Sequence, residues 1–157
     1  MKKVKIGKWT WAALMGMALL AVSWVHRGYS QGNFQGAQAT KPMYKAIFQL
    51  DSAAPSTMKK TLNNIKNALG DPRLQGKVKI ELIANSMGYK VYLKGNGFEK
   101  LLRQLQAQGV ILAQCSNTLR ELKIDKKTLY PFISFVPSAA GEIIIREGNG
   151  WAYVHPS

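Results

Sequence analysis

A chain of 157 residues, 46% hydrophobic, has the length of one globular domain. Its 22 Lys and Arg against 8 Asp and Glu give a formal net charge of +14, which suits anionic partners such as acidic proteins, anionic lipid headgroups or small anions. The lysines are scattered and no nucleic-acid-binding motif is present, so nucleic acid is not expected as a partner.

The first segment stands apart from the domain. Lys2, Lys3, Lys5 and Lys8 precede an uncharged apolar run, Trp9 to Val25, the pattern of an export signal. A cleavage site follows Gly28-Tyr29-Ser30; Ala37-Gln38-Ala39 matches the small-x-small pattern better but lies far from the apolar run. The run is also just long enough to span a bilayer. Residues 1–30 therefore read as a signal peptide or as an uncleaved anchor that meets the membrane through residues 9–25. No cysteine follows the run, which excludes lipid attachment there. In either case the lysines stay cytoplasmic and the remainder is exported, periplasmic or anchored facing the periplasm. Removing residues 1–30 takes away Lys2, Lys3, Lys5, Lys8 and Arg27 and no acid, so the formal charge falls from +14 to +9.

Residues 31–42, rich in Gln, Gly and Ala, read as a linker to a domain over 43–157. Tyr44 to Leu50 is a strand, followed by a turn in which Pro55 suits the first turn of a helix. Met58, Leu62, Ile65 and Leu69 share a helical face, and Gly70-Asp71-Pro72 stops that helix. Lys77 to Ala84 alternates and then turns apolar, as a strand entering a core does. Tyr89 to Leu93 is either a short helix or extended. Phe98 to Gln108 is an amphipathic helix ended by Gly109. A buried strand from Val110 follows, then a helix and turn over Leu119 to Tyr130, ending at Pro131. Phe132 to Val136 is a fourth strand, Ala139 to Arg146 a last helix, and Trp151 to Val154 a terminal strand. Strands alternating with helices predict an α/β fold: a compact three-layer domain with a mostly parallel five-stranded sheet.

Little catalytic chemistry is available. His26 lies in the export segment, and His155 alone makes neither a metal site nor a triad. With no CxxC, HExxH or acidic ligand cluster, neither a metal nor a cofactor is expected. Gly95-Asn96-Gly97 reads as a turn rather than as half of a dinucleotide fingerprint. Asn64 and Asn67 lie one turn apart on a helix where asparagine is a poor helix former, either on a solvated face or bridging an adjacent loop or subunit.

Cys115, the sole cysteine, remains as the candidate nucleophile. It closes the apolar strand and precedes Ser116-Asn117-Thr118, a cluster of helix-capping residues. Unpaired N–H groups at a helix start favour thiolate over thiol. The alternative is a packed, inert cysteine, since free cysteine is among the most buried residue types. In an oxidising compartment, with no partner in the chain, the thiol must be buried, paired with another molecule, or kept as a working group.

Four local patterns carry a family likeness. They are L-x-N-x-x-N at Leu62–Asn67, G-V-x-x-x-x-C-x-N-T-L at Gly109–Leu119, V-P-S-x-x-x-E at Val136–Glu142, and G-[YW]-x-Y at Gly150–Tyr153. Residues 44–157 thereby resemble the DsrE/DsrF-like family, which includes sulfur-relay subunits such as TusD. The resemblance implies a cysteine that carries sulfur as a persulfide, at the position of Cys115, between a sulfur-donor and an acceptor protein. It also implies assembly into homo-oligomers or hetero-oligomers of related subunits. Relatives often have a His-Gly-Pro-Gly-like turn after the second strand; here Asn85-Ser86-Met87-Gly88 stands instead, without a proton-transfer group. The backbone after Cys115, with Ser116, Asn117 and Thr118, is expected to hold the terminal sulfur, and Asn85 and Ser86 to form the opposite wall. Trp151 and Tyr153 offer aromatic area for an interface, unless they pack in the domain's own core.

Overall fold

In the computed structural model, residues 34–156 are described, and over them strands and helices alternate as the apolar periodicity predicts. The expected signal peptide or anchor, residues 1–30, lies outside the described residues. Among the described residues no helix is long and apolar enough to cross a membrane. Residues 34–43 carry no helix or strand.

The elements are β1 (Tyr44–Leu50), α1 (Pro55–Gly70), β2 (Val78–Ala84), a 3-10 stretch (Ser86–Tyr92), α2 (Glu99–Ala107) and β3 (Ile111–Cys115). They continue with α3 (Ser116–Glu121), a 3-10 turn (Lys126–Thr128), β4 (Ser134–Val136), α4 (Ala139–Gly148) and β5 (Ala152–Val154). The five strands form one sheet in the order β4-β3-β2-β1-β5, and every ladder is parallel. Parallel strands covered on both faces need near-continuous apolar runs, which β1, β2 and β3 supply.

The chain steps from β1 to β4 in one direction across the sheet, then returns to place β5 beside β1. Right-handed crossovers therefore put α1, α2 and α3 on one face and α4 on the other. Side chains alternate accordingly. Phe48, Leu50, Leu82, Ala84 and Leu112 meet Met58, Leu62 and Ile65 of α1 and Leu102 and Leu105 of α2. Ile47, Ile83, Ala113 and Cys115 meet Ala139 of α4 and Trp151.

Three departures from the periodicity have physical causes. Helix α1 starts three residues earlier than its apolar face, because Pro55 at its first turn has a preset helical φ and no N–H to satisfy. Of the ambiguous Tyr89–Leu93 segment, residues up to Tyr92 fall in the 3-10 stretch and Leu93 bridges to Leu129; the buried Tyr92 hydroxyl anchors it by donating to Leu82 O at 2.9 Å. The helix expected over Leu119–Tyr130 begins at Ser116 and ends at Glu121. Lys123 takes a left-handed φ of 54° and Ile124 N–H turns back to Leu119 O at 2.8 Å. Asp125 then caps the 3-10 turn through Lys127 N–H, which brings Ile124 and Leu129 onto the core.

Candidate functional site

The carboxyl ends of β1, β2, β3 and β4 share one edge, since Leu50 registers with Ala84, Ala84 with Gln114, and Cys115 with Val136. Ligands of open parallel sheets collect at this edge. Cys115 is the last residue of β3 and the N-cap of α3, with 4% of its surface exposed. Polar residues 116–118 thus form the first turn of α3 rather than its cap.

The Cys115 sulfur is surrounded by donors. Ala139 N–H, the first of α4, donates to Sγ at 3.3 Å. Burial pushes the thiol up, but the N–H and hydroxyl of Thr118 and the N–H groups of Ala139 and Asn117 outweigh it and hold the thiol below its ordinary value. Thr118 is oriented for this role: its Oγ1 accepts the Ser86 N–H at 3.0 Å, which leaves its own proton for the sulfur.

The Ser86 N–H is aimed by a chain of side chains. Tyr153 OH donates to Gln49 Oε1, Gln49 Nε2 donates to Asn85 Oδ1 at 2.9 Å, and Asn85 Nδ2 donates to Ser86 Oγ at 3.2 Å. Ser86 is left-handed, with φ 47°. Gly88 lets this loop lie against the end of β1, because a Cβ there would sit 2.0 Å from Leu50 O.

A cavity of about 140 Å³ is lined by Ser86, Met87, Thr118, Glu121 and Leu122, and Cys115 is not part of its wall. Thr118 belongs to both cavity wall and sulfur shell. The larger concavity, about 530 Å³, includes Val78 at the start of β2 and so lies at the opposite edge of the sheet.

Thr118 reaches the Cys115 sulfur, Ser86 is joined to Thr118, and Asn85 to Ser86. Asn117 contributes only backbone, since its Oδ1 accepts from Arg120 Nη2 at 2.9 Å. Ser116 makes no side-chain hydrogen bond with a described residue. Asn64 is half-buried and Asn67 exposed, and no side-chain hydrogen bond joins either to a described residue, so neither bridges a loop of this domain. Trp151 packs in the core under α4, stacked against the Arg146 guanidinium at 4.2 Å, so its area is spent within the domain. Tyr153 is exposed but serves the Gln49 chain. His155 pairs with Asp51 at 3.1 Å; it lies beyond β5, three strand spacings from β3, roughly 14 Å and out of reach of the sulfur. Among the described residues, no three His, Cys, Asp or Glu side chains are grouped to hold a metal ion.

Three contributors carried no sequence signal as site residues: Ala139 acts through its backbone, Gly88 through the absence of a side chain, and Gln49 from the far side of β2. Thr118 gives the site a direct check. With native protein, the alkylation rate against pH should have its midpoint below the ordinary thiol value of about 8.5. Thr118→Val should raise that midpoint and slow the reaction at neutral pH by about tenfold, the worth of one hydrogen bond to a charged acceptor. An unchanged profile would exclude the hydroxyl from the sulfur shell.

No protein-family model and no curated protein matches the chain. Among solved structures it is similar to MTH1491, a protein of unknown function from Methanobacterium thermoautotrophicum, with a TM-score of 0.67 and 33% identity. The match covers 72% of this chain and 99% of that one. A resemblance at that identity over nearly the whole of the other protein places this chain in the same family as the methanogen protein.

Proposed function

We propose that the chain is an exported sulfur carrier of the DsrE/DsrF-like kind, working through Cys115. The observation that carries this reading is the set of donors on one sulfur: Ala139 N–H at 3.3 Å, with the Asn117 and Thr118 N–H groups and the Thr118 hydroxyl. Such a shell favours the thiolate, which is the attacking species. The thiolate attacks the terminal sulfur of a donor persulfide; a new S–S bond forms at Cys115 and the donor's S–S bond breaks, releasing the donor thiolate. Sulfur moves at the sulfane level, so no external oxidant or reductant is consumed. The same donors suit a persulfide anion. A lone thiol fits the role, because no second cysteine in the chain competes for the carried sulfur.

The burial of Cys115 among Ile47, Ile83, Ala113, Ala139 and Trp151 favours a second reading, an oligomeric binding or scaffold protein with an inert cysteine. Intact mass separates the two. After incubation with a sulfane-sulfur donor, the carrier should gain one sulfur atom, lose it on reduction, and gain none as Cys115→Ser. Failure of the folded wild type to gain mass, with labelling only on unfolding, supports the inert cysteine.

A further inference from the structure

We propose that the cleft between the 3-10 turn Lys126–Thr128 and the edge strand β4 binds a phosphate monoester carried on an apolar body. The cleft shares no residue with the donors around the Cys115 sulfur, so this inference does not rest on the thiol chemistry.

The cleft holds about 310 Å³, within the roughly 300–1,000 Å³ of small-molecule sites. Its floor is apolar. Leu129 and Tyr130 are buried, and Phe135, on the edge strand, keeps 39% of its surface exposed. Lys94, Lys126 and Lys127 complete the wall, and no acidic residue contributes to it. Lys94 is distant in sequence and is brought in by a short antiparallel bridge. Leu93 pairs with Leu129, Lys94 N–H donates to Thr128 O at 3.0 Å, and Tyr130 N–H donates to Tyr92 O at 3.0 Å. Tyr130 is fixed in turn, its hydroxyl donating to Asn96 Oδ1 at 2.9 Å.

The ammonium groups are placed without acids. Lys94 Nζ donates to Lys127 O at 2.8 Å, and Lys126 Nζ lies over the Phe135 ring, 4.5 Å from its centre. None of the three lysines forms an ion pair with a described residue. Asp125, next to them in sequence, accepts the Lys127 backbone N–H at 2.9 Å and is not part of the cleft wall. Like charges around one concavity repel, and the low-dielectric wall focuses their field, so an anion is the complementary ligand. A single carboxylate would leave two lysines unmatched. A phosphate monoester brings about two negative charges and three acceptor oxygens. Lysine suits it as a point charge with rotatable donors. The surface of Leu129, Tyr130 and Phe135 then favours an apolar group attached to the phosphate. A soluble organic phosphate and the headgroup of phosphatidic acid both have this chemistry.

The test is calorimetric titration of the full-length chain, in mild non-ionic detergent, with naphthyl phosphate. Saturable binding is expected, tighter than that of inorganic phosphate or naphthol and weakening as salt rises. The double variant Lys126→Gln, Lys127→Gln should bind about tenfold more weakly, the worth of two exposed charge contacts. Both side chains are exposed, so its thermal unfolding should not change. Lys59→Gln on α1 and Cys115→Ser should bind as the wild type does. Micelles doped with phosphatidic acid then compete with the probe. Displacement identifies the lipid headgroup as a source and no displacement a soluble organic phosphate; the proposal stands with either. No saturable binding, naphthyl phosphate bound no more tightly than inorganic phosphate, or a double variant that binds as the wild type does would each overturn it.

Discussion

Replacing Arg146 with methionine is expected to destabilise the domain by about 3–5 kcal/mol at neutral pH, because it leaves a buried carboxylate without its counter-charge. Glu81 lies in β2, the middle strand of the sheet, with no exposed surface. Its carboxylate faces Arg146 Nη2 at 2.7 Å, while Arg146 Nε reaches Glu142 at 2.8 Å. Burial pushes the Glu81 carboxyl above its usual value of 4.5; Arg146 pulls it down and Glu142 raises it further. The sign follows from that direction. A carboxyl raised in the folded state favours folding fully below its unfolded value, and that contribution is lost as pH rises through the folded value. Without Arg146 the folded value climbs further, so the deficit should shrink as pH falls from neutral toward 5. Glu81→Gln in the Arg146→Met background should recover most of the loss, since the burial penalty then falls on a neutral amide. Urea unfolding midpoints of the two single variants and the double variant, at both pH values, measure this. An equal loss at both, or a double variant no better than Arg146→Met, would show that the pair is not what holds α4 to the sheet.

Gly88→Ala is expected to lose about 3 kcal/mol, at the upper end for overpacking. The added Cβ would fall 2.0 Å from Leu50 O, 2.6 Å from Leu50 C and 3.0 Å from Asp51 Cα. All three are backbone atoms and cannot rotate away, and Leu50 O is already held by Asn85 N–H at 3.0 Å. The loop must therefore retreat, drawing Ser86 N–H off Thr118 Oγ1 and loosening the hydroxyl that serves the sulfur. Thermal unfolding should fall and the Cys115 alkylation midpoint should rise together. Gly148→Ala is the control: nothing lies within 4 Å of its added Cβ, so it should be neutral or slightly stabilising. A Gly88→Ala protein of wild-type stability would mean that the loop accommodates the methyl group elsewhere.

Local order along the chain was readable from local chemistry. Apolar runs such as Tyr44–Leu50 and the spacing of Met58, Leu62 and Ile65 identify strand and helix because burial on one or two faces imposes a period. Their alternation then leaves few architectures besides a parallel sheet with helices on both faces. The junction at Cys115 was legible for the same reason, an apolar run meeting capping residues. The left-handed Lys123 was not, since the turn it makes is normally marked by Gly or Asn.

Long-range pairing was decided by the tertiary structure alone. The return of β5 to the side of β1 sets Tyr153 against Gln49, and the crossover through α4 sets Ala139 N–H on a sulfur 24 residues earlier in the chain. Trp151 had equal chemical reason to lie at an interface or in the core; packing beneath Arg146 and α4 placed it inside. Glu81 carries the same lesson: it shares a strand face with Lys79, which gives no sign of burial, and only the folded chain buries it and supplies Arg146 to meet it. Periodicity is a property of neighbours in sequence, whereas a buried charge or an unpaired N–H is satisfied by whichever group the fold brings within reach.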